Sequence, residues 1–196
     1  MLVIACGALA GELRAVLPAA VDVTYLPAHL HNRPERIVPS LTPLLAEAGA
    51  ADRPVFVAYA DCGTGGRLDA LLADHPGVHR LPGAHCYEVF AGRELFAQLS
   101  DDEPGTFFLT DFLARHFEAL VWQGLGLARH PELRPMYFAN YRRVVLLSQS
   151  TGDDVIEAGR HAAQLLGLSF EHRHVGRAGL ADAVPVAIDA RVTAVA

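Results

Sequence analysis

Apolar residues in this chain fall mainly into short unbroken runs, separated by stretches in which they recur at helical spacing. Runs over residues 2–5, 21–26, 55–59 and 143–148 are too short for buried helices. Their length and branched aliphatic content suit strands covered on both faces. Weaker runs over 78–81 and 169–175 read the same way, and a short strand is expected over 186–188. Helical patterns occupy 8–17, 68–73 and 153–167, with another ending near Gly49. The middle of the chain reads as helical in pieces, over 87–99, 108–124 and 131–140. Pro34 suits a first helical turn, whereas Pro39 and Pro43 predict that the helix after it is irregular or broken. Strands alternating with helices predict an α/β fold: a three-layer, Rossmann-like sandwich with a mainly parallel central sheet. A chain of 196 residues suits a single domain of that kind, spanning 1–196.

Composition narrows the function classes. The net charge is −6 and all 16 basic residues are arginine, scattered without a basic run. No nucleic-acid footprint follows from that pattern. No apolar run approaches the length of a bilayer span, and the opening residues lack the positive charge of a secretion signal. Three widely spaced cysteines do not make a disulfide framework, so reduced thiols and a cytoplasmic location are expected.

Each cysteine follows an expected strand. Cys6 follows the first, Cys62 the third, and Cys86 the short fourth, within His85-Cys86-Tyr87-Glu88. In an open parallel sheet the loops after the strands gather at one edge, where ligands bind. Three thiolates delivered there are soft donors suited to zinc or an iron–sulfur cluster. Three ligands also leave one coordination position for a substrate. His85 is a candidate further ligand, with His29 and His31 as alternatives, and the bland reading of each histidine is a loop hydrogen bond. His31 and Glu88 are the candidates for proton handling. The absence of any CxxC pair, and the frequency of cysteine as a small buried hydrophobe, weigh against a metal.

Two strand-to-helix turns carry groups that would bind an anion or cofactor. Asp61-Cys62-Gly63-Thr64-Gly65-Gly66 offers backbone N–H groups from Gly63, Thr64, Gly65 and Gly66, though it matches no full dinucleotide or phosphate-loop motif. Ser148-Gln149-Ser150-Thr151-Gly152 offers hydroxyls from Ser150 and Thr151, which serve equally as helix caps. Both turns are expected to open toward one cleft. Glu12 and Asp111 are further candidate acids, and the run Glu171-His172-Arg173-His174 reads as an exposed strand face.

In combination, Ala5-Cys6-Gly7-Ala8-Leu9, Leu30-His31-Asn32-Arg33-Pro34, Cys62-Gly63, Cys86 and Pro104-Gly105-Thr106-Phe107-Phe108-Leu109-Thr110 resemble a bacterial and archaeal family, domain-of-unknown-function family 1638. The likeness continues through 143–154 and covers nearly the whole chain. Members are associated with genes for corrinoid proteins and methyltransferases. The resemblance thus implies one-carbon or methyl metabolism, with Cys6, Cys62 and Cys86 at the family's cysteine positions, and it carries no established reaction.

Three functions follow as expectations. The first is a metal- or cluster-binding enzyme, a transferase or lyase, that acts on a small molecule and partners a corrinoid protein or methyltransferase. The second is a non-catalytic accessory or chaperone module holding a corrinoid, metal or small anion. The third is a metal-free enzyme with Cys62 or Cys86 as nucleophile.

Overall fold

A computed structural model describes residues 1–184; the strand expected over 186–188 lies outside them. The chain forms two compact units, one of residues 1–89 with the chain from Arg177, the other of residues 90–176.

The first unit is built on a four-stranded parallel sheet of order β2-β1-β3-β4, with β1 Leu2–Cys6, β2 Asp22–Leu26, β3 Val55–Ala58 and β4 His79–Arg80. β1 is buried along its whole length, and β3 likewise, as unbroken apolar runs require. Helix α1, Ala10–Val16, joins β1 to β2 after a single 3₁₀ turn at Gly7–Leu9. Helix α2, Ile37–Ala50, joins β2 to β3 and buries Ile37, Leu41, Leu45 and Ala48, the i, i+4, i+8, i+11 stripe of one helical face. The two prolines do not break it. Pro39 stands in the first turn, where a backbone N–H has no intrahelical acceptor in any case. Pro43 forgoes one hydrogen bond on an exposed face of the helix, where a freed carbonyl is not buried. Helix α3, Arg67–Ala73, joins β3 to β4, and α4, Cys86–Ala91, follows β4. The segment Ala178–Ala183 forms a further helix that packs on α1.

The second unit is a three-stranded parallel sheet of order β5-β6-β7, preceded by helix α5, Arg93–Asp102. Its strands are β5 Thr106–Leu109, β6 Arg143–Ser148 and β7 Ser169–His174. Helix α6, Asp111–Arg115, follows β5; a π-helical turn at Glu118–Trp122 and helix α7, Arg134–Tyr137, lead on to β6. Helix α8, Asp153–Leu166, joins β6 to β7 and covers Leu146 and Phe170.

The α/β class and the parallel strands are as the alternation predicts. The strands nevertheless divide between two sheets: β3 and β6, the two strongest runs, do not share one. Part of the region expected to be helical from Phe108 onward is β5. Phe107 and Phe108 there alternate between two aromatic clusters, one with Phe117, Phe138 and Tyr141, the other with Phe96. A period of two satisfies both clusters and a helix would not.

The strand orders decide where a ligand crevice opens. In the order β2-β1-β3-β4, the connection leaving β1 runs one way across the sheet and the connection leaving β3 runs the other. The loops at their carboxyl ends therefore part, and the crevice between them is the usual ligand site of such sheets. The order β5-β6-β7 runs in a single direction and has no such reversal.

Candidate thiol site

Cys6 is the last residue of β1, and Cys62 follows β3 by four residues, so both stand at the reversal point of the first sheet. Cys86 joins them through the backbone. After β4 the chain stays beside the loop that follows β3: Asp61 N–H donates to the Gly83 carbonyl at 3.2 Å, and Cys62 N–H to the Ala84 carbonyl at 2.8 Å. Two residues later Cys86 opens α4. The thiols are close enough to act on one another electrostatically.

Backbone N–H groups near each sulfur, of Ala8 for Cys6, of Cys86 and Ala60 for Cys62, and of Tyr87 and Cys86 for Cys86, act to lower its pKa. Such donors favour the thiolate, but burial outweighs them. Burial raises the pKa of Cys6, pushes that of Cys62 up to about 12 with help from Cys6, and lifts that of Cys86 well above the ordinary thiol value. Cys6 is buried, while Cys62 and Cys86 are half-buried.

The loop from Asp61 to Gly66 is held from within. The Asp61 carboxylate accepts the Thr64 hydroxyl at 2.6 Å, the Gly66 N–H at 2.9 Å and the Gly65 N–H at 3.0 Å. Burial opposes its ionisation, yet Thr64, Gly66 and Gly65 together hold its carboxyl below the ordinary value. The N–H groups of Gly65 and Gly66, expected to meet a cofactor, thus already have an anion of the chain's own. Cys62 sits at φ 48°, a left-handed conformation disfavoured for a residue with a Cβ.

The stretch carrying His31 lies across both cysteine loops. Gly7 allows this at one end: a Cβ there would come within 2.8 Å of the Leu26 carbonyl, at the point where β2 leads into the 3₁₀ turn Ala28–Asn32. At the other end Pro34 packs on Gly63, 3.4 Å from where its Cβ would stand. His31 is half-buried between these contacts, and burial, with His85 nearby, lowers its affinity for a proton. His29 and His85 are exposed. Glu88 takes a structural part: its carboxylate accepts the Ala84 N–H at 3.0 Å and closes over Gly83, bracing the loop before Cys86.

Two residues that the sequence reading passed over complete the site. Arg80 binds the Asp69 carboxylate through two nitrogens and donates to the carbonyls of Leu81, at 2.8 Å, and Gly83, at 3.2 Å. It fixes the path of the chain between β4 and Cys86. Tyr59, read as the end of a core strand, is 2 % exposed, and its hydroxyl has no hydrogen-bond partner of proper geometry. Burial, with Cys6 and Cys62 beside it, holds that hydroxyl in its protonated form. Among the described residues no three His, Cys, Asp or Glu side chains stand in the arrangement of a metal cage.

The turn after β6 belongs to the other sheet and is built differently. Asp111, buried, accepts the N–H groups of Gln149 and Ser150, both at 2.9 Å, and its own N–H donates to Gln149 Oε1 at 3.0 Å. The Ser150 hydroxyl is buried without a partner, and Thr151 is exposed. Ser148 is joined to His172 at 2.8 Å and His174 at 3.2 Å, so one face of β7 is engaged rather than simply solvated. On the opposite face Glu171 pairs with Arg143 and Arg173. Asp111 and Ser148 are structural links between strands, a role legible only once the strand pairing is known.

A family model described as "Protein of unknown function (DUF1638)" matches residues 25–184. The chain belongs to this family. The match includes Cys62 and Cys86 and begins after Cys6. No curated protein and no solved structure matches the chain. Among the described residues no helix is long and apolar enough to cross a membrane.

Proposed function

We propose that Cys6, Cys62 and Cys86 are the ligands of a soft metal centre, zinc or an iron–sulfur cluster, at which this DUF1638 protein binds and transforms a small molecule. The observation that carries this reading is that Cys6 ends β1, Cys62 follows β3, and the Cys62 backbone is hydrogen-bonded to the segment that leads from β4 into Cys86, all on one parallel sheet. Backbone N–H groups beside each sulfur support it, because donors kept near a thiolate ligand stabilise it and tune a centre's potential. Ligation asks the three side chains to converge on a common point without leaving these neighbours. His31, half-buried in the segment that spans both cysteine loops, is better placed as a fourth ligand or proton carrier than the exposed His85.

Burial weighs against the metal-free nucleophile. A nucleophilic thiol needs a lowered pKa, whereas all three here are raised. A bound metal removes that obstacle, because a coordinating thiol gives up its proton outright. With three thiolates on zinc, a fourth position is left for a substrate sulfur or oxygen. In the methyl-metabolic setting that the family resemblance suggests, a corrinoid protein or methyltransferase would be the partner, and zinc would hold a substrate thiolate ready to accept the methyl group.

Anaerobic purification followed by metal and sulfide analysis tests the reading. The expected result is stoichiometric zinc, or iron with sulfide, lost together when any one cysteine is replaced by serine. Full-length protein that stays metal-free after incubation with zinc and after cluster reconstitution would overturn it.

A further inference from the structure

Strand β7 ends one side of the second unit's sheet: its only strand partner among the described residues is β6. Ser169 N–H donates to the Arg142 carbonyl at 3.2 Å, and Val175 N–H to the Ser148 carbonyl at 2.9 Å. Backbone groups alternate sides along a strand, so residues 169, 171, 173 and 175 turn theirs toward β6. Those of Phe170, His172 and His174 therefore point outward, and among the described residues they meet no backbone partner. Such an edge is a template for another strand. β7 pairs without a bulge along all six residues and holds no proline, so two devices that blunt an edge are missing. Glu171 adds a second mark. Its Oε1 is buried with no hydrogen bond among the described residues, although the Arg173 guanidinium on the same strand lies 2.7 Å away, misaligned. A buried carboxylate oxygen left in that state is costly.

We propose that β7 is a homodimer interface: it pairs antiparallel with β7 of a second copy, about a two-fold axis between the two His172 residues, and joins the two sheets into one. Outward-facing residues must pair with outward-facing ones, which restricts the register. With the axis at His172, Phe170 and His174 of opposite copies exchange N–H and carbonyl bonds, and so do the two His172 residues. Glu171 then stands opposite Arg173 of the second copy, and Arg173 opposite its Glu171, at the closer, non-hydrogen-bonded positions. Moving the axis to Glu171 would oppose two glutamates, and to Arg173 two arginines, and like charges directly opposite destabilise a ladder. Charge thus selects the His172 register. It also brings Glu171 Oε1 an arginine from across the ladder rather than along its own strand. A two-fold contact of this kind is closed, so it ends at two copies and covers both exposed edges. The pairing needs no metal and does not rest on the reading of the thiols.

Sedimentation velocity and light scattering of the full chain test the pairing, at about 100 µM because a short edge interface is a weak one. Wild type is expected to be dimeric at that concentration and to dissociate on dilution. Arg173→Glu sets like charges opposite each other at both positions and should weaken the dimer by about tenfold or more. His174→Pro removes an N–H that faces away from β6, where proline is tolerated, and should weaken the dimer while leaving the fold intact. A mixture of Arg173→Glu with Glu171→Lys restores opposite charges at both positions, so it should form heterodimers that neither variant forms alone. Amide exchange in wild type gives a readout that needs no variant: the Phe170, His172 and His174 amides should exchange more slowly in concentrated than in dilute protein. A wild type that stays monomeric, a dimer that neither folded variant weakens, or exchange at these amides that ignores concentration would overturn the proposal.

Discussion

Arg80 grips Asp69 side-on, Nε to Oδ1 at 2.6 Å and Nη2 to Oδ2 at 2.8 Å, and turns its remaining nitrogen to the carbonyls of Leu81 and Gly83. A guanidinium serves here because its planar fork reaches a carboxylate and two backbone carbonyls at once. Arg80→Met is expected to cost about 1–3 kcal/mol, the usual loss when charge-assisted bonds to a half-buried loop are removed. It should also weaken metal uptake without altering a thiol, because the clamped segment carries Cys86 and receives the N–H groups of Asp61 and Cys62. Arg80→Lys keeps the charge and should fall between the two. Chemical denaturation and zinc competition measure both effects; a stable variant with wild-type zinc affinity would refute the clamp.

The same pair makes stability depend on pH. The hydrogen bond from Arg80 is the main cause that holds the Asp69 carboxyl below its ordinary value, against the opposing effect of burial. A carboxyl lowered in the folded state contributes stability that is complete above the unfolded value of about 4 and is lost as pH falls through the folded value. The difference in melting temperature between wild type and Asp69→Asn should therefore be constant near neutrality and close below about pH 4. A difference that persists unchanged into acid would show that the carboxylate charge is irrelevant.

The outline of the site was legible because strand ends and cysteine positions are local properties. The runs ending just before Cys6 and Cys62 correspond to β1 and β3, so both cysteines stand at the carboxyl ends of adjacent strands. Strand partnership was not legible. An apolar run shows that a strand is buried but not beside which strand it lies, so β3 and β6 were placed in one sheet. Tyr59 was read as core for a related reason. It is buried, and only the pairing of Ala5 with Ala58 reveals that it borders Cys6. Glu88 looked like an acid beside a cysteine, but its carboxylate faces the Ala84 N–H, a contact that depends on the tight bend at Gly83. In the second unit Asp111 resembled a candidate acid until β5 and β6 were seen side by side.

Asp111 is accordingly expected to matter for stability. Its two oxygens accept the N–H groups of Gln149 and Ser150 while its own backbone binds the Gln149 side chain, so the turns after β5 and β6 are tied in both directions. Asp111→Ala strands two backbone donors in a buried place and should cost about 2–4 kcal/mol. Asp111→Asn retains one acceptor and should cost less. Urea denaturation ranks the two, and equal, near-zero losses would remove Asp111 from the structural framework.

Cys62 offers a way to separate the stability of the loop from its chemistry. At φ 48° it occupies a left-handed conformation that costs a residue with a Cβ about 1–2 kcal/mol, and the strain is absent for glycine. Glycine gives back part of that gain through the greater entropy of its unfolded chain, roughly 0.4–1 kcal/mol. Cys62→Gly should therefore be at least as stable as Cys62→Ala, and by up to about 1 kcal/mol more so. That order reverses the usual one for a half-buried loop residue. Both variants lack the thiol, so both should fail to retain metal after anaerobic purification, whatever their melting temperatures. The pattern expected of a ligand held in a strained backbone is thus a glycine variant that folds well and binds nothing. If Cys62→Gly kept the metal content of wild type, Cys62 would be a packing residue. If it were much less stable than Cys62→Ala, the left-handed backbone would not be the conformation of this loop in solution. Thermal melts and metal analysis of the two purified variants, side by side with wild type, distinguish these results.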